Sequence, residues 1–294
     1  MNRISPPSSK KQDSPNVKPG YAMSKVAIVQ MTSTANYEEN LKKSLSFIEE
    51  GSRLKADLIA FPENFLLIGN SNIYTSDTVP DAEKVKNIFQ KKAVDCGISI
   101  LMGSILEKHP SRTAKYYNTS ILIDQSGKVC AEYRKIHLFD ITHPDVVYQE
   151  SLHIIAGNDI SICNHPIGVV GLTICYDLRF PMHFQKLTDA GAEIVFVPAA
   201  FTVPTGKAHW LTLLKARAIE NQIFIIAPAQ VGRHNPTKES FGNSVLINPW
   251  GEILAQATDG EGIMTGEIDL SKMHETRKRM PVFEHKVKGV DRFS

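Results

Sequence analysis

Between Lys25 and Leu106 the chain alternates short, wholly apolar runs with longer amphipathic stretches, and this alternation limits the fold more than any other feature. Lys25–Met31 (KVAIVQM) is rich in β-branched residues and reads as a strand buried on both faces. Residues Asn36 to Lys55 follow at helical spacing, with Leu41, Leu45 and Ile48 on one face. Asp57–Phe61 (DLIAF) is a second buried strand, stopped by Pro62, which leaves Glu63 just past its C-terminal end. A helix over about Ala82–Asp95 and a strand over Ile98–Leu106 complete a β-α-β-α-β opening.

The middle of the chain reads as a hairpin: Tyr117–Asp124, a Gln125-Ser126-Gly127 turn, then Val129–Arg134 with Lys135 at its end. After a polar loop come a strand over Gly168–Ile174, a short helix after Pro181, a strand over Glu193–Val197, a helix over Lys207–Asn221 and a strand over Ile223–Ala227. Three more strands, 244–248, 252–257 and 263–268, surround the Pro249-Trp250-Gly251 turn. Helices alternating with strands and hairpins imply a mixed sheet covered by helices, and the pattern leaves open whether there is one sheet or two. No fixed-period repeat and no composition break interrupts residues 24 to 285, which predicts one domain over 23–290. Residues 1–22, rich in Ser, Pro and Lys, cannot repay their ordering entropy and are expected to be a disordered tail.

Charge and cysteine usage remove several functional classes. The 33 Lys and Arg nearly balance the 31 Asp and Glu, so no broad basic face for nucleic acid is expected. Cys96, Cys130, Cys163 and Cys175 form no C-x-x-C pair, and no 18-residue apolar stretch or apolar N-terminal leader is present. A cytoplasmic protein that neither spans a membrane nor binds nucleic acid is the expectation. None of the ten histidines forms an H-E-x-x-H motif, so no metal is expected. Gly260-Glu261-Gly262 meets its next glycine at Gly266, one residue too late for a dinucleotide fingerprint, and Gly242-Asn243-Ser244 lacks the final glycine of a serine-hydrolase elbow.

Glu63, Lys135 and Cys175 each follow an apolar run, and strand C-terminal ends are where α/β folds build sites. Taken singly, each has an ordinary reading: a small core thiol, a solvated turn carboxylate, a lysine reaching water. Together they supply a nucleophile, a base and a cation. The cation is expected to lower the thiol pKa and to stabilise an oxyanion, while the carboxylate carries a proton from thiol to leaving amine.

Phe61-Pro62-Glu63, Tyr133-Arg134-Lys135-Ile136-His137-Leu138-Phe139-Asp140 and Gly171-Leu172-Thr173-Ile174-Cys175-Tyr176-Asp177-Leu178-Arg179-Phe180-Pro181 resemble, in order, the Glu, Lys and Cys boxes of the nitrilase superfamily. Ala200-Phe201, Thr205-Gly206, Ala208-His209-Trp210, Lys215 to Gln222, Gly242 to Gly251 and Pro281 to His285 resemble its Nit branch. The resemblance runs from about residue 25 to 286. It implies a single-domain α+β fold, a four-layer αββα sandwich, assembling as a homodimer or homotetramer and using no cofactor. It implies a cysteine-dependent amidase with Cys175 as nucleophile, Glu63 as base and acid, Lys135 on the oxyanion and the Tyr176 backbone N–H as a second oxyanion donor. Glu150, in Tyr148-Gln149-Glu150-Ser151, matches the branch's Glu-Ser pair that holds the lysine, and its ordinary reading is a surface residue. The preceding loop, Ile141–Asp145, is one residue short of the branch pattern, with Asp145 where a glycine is usual.

Arg179, Phe201 and Thr205 stand where the resemblance places an acidic acyl group, and a guanidinium clamps a carboxylate through two parallel bonds. Their ordinary readings are a helix-start ion pair, core packing and a helix cap. A small anionic amide is therefore the expected partner. The segments from Ala208 to Gln222 and from Pro281 to His285 are most similar to amidases of deaminated glutathione, the 2-oxo acid form of glutathione. That similarity implies release of 2-oxoglutarate and cysteinylglycine, a metabolite-repair reaction. The alternatives are an ω-amidase on 2-oxoglutaramate and, in another class, a catalytically idle Nit-fold scaffold.

Overall fold

The structure is a computed structural model that describes residues 23–287 apart from 75–77, 144–145 and 258, with backbone alone at 143, 146 and 147. The expected tail and the tip of the Ile141–Asp145 loop lie outside the described residues. The chain runs through β1 (Ser24–Gln30), α1 (Tyr37–Arg53), β2 (Leu58–Ala60), α2 (Ala82–Cys96), β3 (Ser99–Lys108), β4 (Tyr116–Ile123) and β5 (Val129–Arg134). A short hairpin, β6 (Asp140–His143) and β7 (Val146–Gln149), precedes β8 (Ser161–His165), β9 (Gly168–Leu172), α3 (Pro181–Asp189), β10 (Ile194–Phe196), α4 (Val203–Asn221) and β11 (Phe224–Ala227). A second hairpin, β12 (Val231–Asn235) and β13 (Lys238–Phe241), leads to β14 (Val245–Ile247), β15 (Ile253–Gln256), β16 (Gly262–Ile268), α5 (Leu270–Arg279) and α6 (Val282–His285).

Two six-stranded mixed sheets result, ordered β16-β1-β2-β3-β4-β5 and β15-β14-β11-β10-β9-β8. Strand register shows why they stack. Ile28, Ala60, Leu101, Leu122 and Ala131 are paired neighbours across the first sheet, and this row packs in one core with Val170, Leu172 and Phe196 of the second sheet. The next row, Ala27, Ile59, Ile100 and Ile123, points the other way and packs with Ile48 of α1 and Phe89 of α2. Because side chains alternate with a period of two, a one-residue slip in any strand would exchange these rows. On the far side, Phe184 of α3 and Trp210, Leu214 and Ala218 of α4 cover the second sheet. The expected αββα sandwich is the observed arrangement.

Local sequence sets the helix ends. The Asn36 side chain accepts the Glu39 N–H at 3.2 Å and Asp81 accepts that of Lys84 at 2.9 Å, while α2 stops at Gly97 with φ of +60°. Helix α4 starts four residues before the expected Lys207, because Pro204 fits a first turn whose N–H groups have no helical partner. The segments read as polar loop contain β6, β7 and β8, and β12–β13 was likewise not legible. These strands are only four or five residues long, and β8 is an edge strand with little of the apolar alternation that marks the core.

Candidate active site

Three buried chain ends meet where the sheets' C-terminal edges converge. Glu63 follows β2 in a turn pinned by Asn64, whose φ is +53° and whose N–H donates to Ser104 Oγ at 2.9 Å. The register of β3 against β4 shifts between Met102 and Ile105, and Gly103 there lies so close to the Pro62 carbonyl that any Cβ would collide with it. Lys135 leaves β5 with its N–H on Asn118 O at 2.9 Å. Cys175 opens a single helical turn after β9 at φ +49°, its N–H held by Pro198 O at 2.9 Å. A left-handed cysteine is an uncommon, strained conformation that aims the side chain away from the strand direction.

Lys135, 2% exposed, joins two carboxylates. Its Nζ donates to Glu63 Oε1 at 2.8 Å and to both oxygens of Glu150, at 3.0 and 2.9 Å. Glu63 also accepts the Asn118 amide at 3.0 Å and, on its other oxygen, the Ala200 N–H at 3.0 Å. Glu150 accepts the Phe139 N–H at 2.7 Å. Burial alone would push the Lys135 ammonium down, but Glu150, Glu63 and Cys175 outweigh it and hold the pKa well above the ordinary lysine value. The nitrogen therefore stays a cation.

Cys175 behaves differently from the expectation. Lys135 does lower its thiol pKa, yet burial and the nearby Glu63 charge outweigh the lysine and push it well above the usual thiol range. The resting nucleophile is therefore held toward its neutral S–H form beside Glu63, and deprotonation accompanies attack.

On the open side of Cys175 lies a cleft bounded also by Phe139, Tyr176, Arg179, Ala200, Phe201, Thr202 and Thr205. The Arg179 guanidinium stands 5.6 Å from the Tyr176 ring centre and 5.5 Å from that of Phe201. His209 Nδ1 lies 3.4 and 3.3 Å from its two terminal nitrogens. Phe201 serves both readings, packing on Trp210 with ring centres 4.8 Å apart while facing the cleft. Thr205 sits in the first turn of α4 with its hydroxyl 2.8 Å from that of Thr202.

All eight residues singled out in the sequence thus gather around Cys175. The chain matches the carbon-nitrogen hydrolase family over residues 25–278. It belongs to that family. A deaminated glutathione amidase of Synechocystis sp. is 39% identical over 264 residues, 89% of this chain and 97% of the relative. That of Rattus norvegicus is 40% identical over 266 residues, 89% of this chain and 81% of the relative. Among solved structures, the C. elegans NitFhit protein aligns with a TM-score of 0.84 at 38% identity, covering 90% of this chain and 65% of that fusion protein. Saccharomyces cerevisiae Nit3, described as a member of branch 10 of the nitrilase superfamily, aligns at 0.80 and 28% identity, covering 92% of this chain and 97% of that one.

In this carbon-nitrogen hydrolase, residues not singled out hold the catalytic turns together. Asp177, fully buried, accepts the Tyr133 hydroxyl at 2.7 Å and the Ile174 N–H at 2.9 Å on one oxygen. Its other oxygen takes the His137 N–H at 3.1 Å and lies 2.7 Å from His137 Nδ1. Burial would raise the Asp177 carboxyl, but these donors and the nearby His183 hold it below the ordinary aspartate value. Arg217 of α4 braces the same turn through Leu178 O at 3.0 Å. The only sequence signal for Asp177 was its place two residues past Cys175.

Cys96, Cys130 and Cys163 are free and partly buried. Among the described residues no cluster of three or more His, Cys, Asp or Glu side chains could hold a metal ion, and no helix is long and apolar enough to cross a membrane.

Proposed function

We propose that this hydrolase cleaves the 2-oxoglutaryl amide bond of deaminated glutathione, releasing 2-oxoglutarate and cysteinylglycine. The observation that carries the chemistry is the placement of Glu63 between a lysine locked as a cation and the N–H of Ala200, a residue that lines one cleft with Cys175 and the Arg179 guanidinium. Two relatives named for this activity, 39% and 40% identical over 89% of the chain, favour the substrate.

Glu63 takes the thiol proton as Cys175 Sγ attacks the amide carbon, forming the C–S bond as the carbonyl π electrons move to oxygen. Lys135 and the Tyr176 backbone N–H receive that oxyanion. The intermediate collapses when Glu63 gives its proton to the departing nitrogen, breaking the C–N bond and leaving a thioester. Water, relieved of a proton by Glu63, then attacks the thioester, and the proton returns to Cys175 sulfur as the acid departs. Glu150 keeps the lysine in register. Arg179 clamps the terminal carboxylate of the acyl group, with Phe201 and Thr205 shaping the wall around it.

The compartment proposed is the cytoplasm, and the assembly proposed is a homodimer or homotetramer. The test of the substrate is turnover of deaminated glutathione and 2-oxoglutaramate in parallel at matched concentrations, read by mass spectrometry. A strong preference for the first is expected. Preference for the second would replace the reading by an ω-amidase, and turnover of neither would remove it.

A further inference from the structure

Lys238, on β13, is a half-buried cation that the proposed chemistry leaves unused. Its Nζ donates to Gly69 O at 2.9 Å, in the segment that continues from the Glu63 turn. The hairpin carrying it is fastened on both sides. His234 bonds Ser33 O and Ser240 Oγ, each at 2.8 Å, Ser240 bridges to Thr202, and the Phe241 N–H donates to Phe201 O at 2.9 Å. Its charge is felt at Glu63 and Glu150, which oppose the lowering of its pKa by burial. It does not bound the Arg179 cleft.

Glu63 protonates the departing nitrogen, so that nitrogen must lie against Glu63, and whatever it carries must extend away from the acyl group held by Arg179. Lys238, like Lys135, interacts with the charge of Glu63, and Lys135 is committed to its two carboxylates and to the oxyanion. A departing dipeptide spans at most about 7 Å from its nitrogen to its terminal carboxylate, since a residue extends about 3.5 Å. A partly desolvated ammonium whose one acceptor among the described residues is a neutral carbonyl gains from a carboxylate within that radius. We propose that Lys238 anchors the carboxylate of the departing, amine-side portion of the substrate, so that the site selects amides negatively charged at both ends. This inference rests on the substrate reading above and assigns the second end of that substrate.

The experiment compares deaminated glutathione with its C-terminal carboxamide, which keeps the scissile bond and removes only the distal charge. In the native enzyme the free carboxylate form is expected to have a kcat/KM about tenfold higher, carried by KM. Lys238→Met is expected to bring that ratio to within about twofold, and Lys238→Arg to restore most of it. A ratio unchanged in Lys238→Met, or a loss shared equally by both substrates, would overturn the anchor and leave Lys238 as a balancing charge for Glu63 and Glu150. If the native enzyme turns over neither form, the substrate reading itself fails and the anchor falls with it, a result distinguishable because it appears before any substitution. Thermal unfolding of Lys238→Arg and Lys238→Met, expected to match the native enzyme, separates altered selectivity from lost folding.

Discussion

Glu150 holds Lys135 through both carboxylate oxygens, at 3.0 and 2.9 Å, while Glu63 takes the same nitrogen from another side at 2.8 Å. A single buried ammonium shared by one buried and one partly buried carboxylate is fixed in position and in charge. Because the lysine needs only one oxygen of Glu63, the second is left for the Ala200 N–H at 3.0 Å.

Glu150→Gln should therefore act through the lysine. The amide keeps the shape but removes one negative charge, so a buried ammonium loses part of its compensation. A fall in kcat of about 10²-fold is expected, from a less well placed oxyanion donor, with KM changing little. Steady-state kinetics check this, and an unchanged kcat would return Glu150 to a surface role.

The neutral resting state of Cys175 gives a second prediction. If the thiol titrates only with help from Glu63, alkylation of Cys175 by iodoacetamide at neutral pH must depend on that carboxylate. Glu63→Gln is expected to slow it by at least about tenfold and to lower kcat/KM by about 10²- to 10⁴-fold. Cys96 should label at the same rate in both proteins. Mass spectrometry of the labelled peptides reads both rates, and equal labelling of Cys175 with and without Glu63 would mean a preformed thiolate.

How much of this was readable from residues alone depends on distance along the chain. The inward row from Ile28 through Ala60 to Leu101 was legible because each strand is a short apolar run, and Glu63, Lys135 and Cys175 because each stands just beyond one. Tyr133 and Asp177 are 44 residues apart and Asn118 and Glu63 are 55 apart, and no local pattern announces such pairs. The lowering of the thiol pKa by the lysine was legible, but the net direction was not, for a related reason. A glutamate and a lysine in a sequence do not reveal how deeply the sulfur is buried or which charge lies nearer, and here burial and Glu63 prevail.

Asp177 ties the turn of Cys175 to the segment bearing Lys135, and its carboxyl is held below the ordinary aspartate value. A depressed acid contributes stability that is present above its unfolded value, near 3.8, and lost as pH falls through the folded value. Asp177→Asn should destabilise the fold at pH 7 by about 3 kcal/mol, within the range for breaking a buried charged network. The gap in melting temperature from the native protein should narrow below about pH 4. A gap independent of pH would place the loss in packing.

His165, the last residue of β8, is buried with a ring nitrogen 3.1 Å from Ser99 Oγ, and burial lowers its pKa to about 4. The unfolded chain, at the ordinary value near 6.5, binds the proton more readily, so stability should fall as pH drops from 6.5 to about 4 and its contribution should level off below. Denaturant unfolding of His165→Gln across that window is expected to show a shallower slope than the native protein. Parallel slopes would exclude His165 as the source.

The central claim is that Cys175 forms a thioester with the acyl half of the substrate. Rapid acid quench of the enzyme with deaminated glutathione, followed by peptide mapping by mass spectrometry, tests it directly. The account predicts a 2-oxoglutaryl adduct on the peptide containing Cys175, and neither adduct nor turnover in Cys175→Ala. Turnover that persists in Cys175→Ala would contradict it.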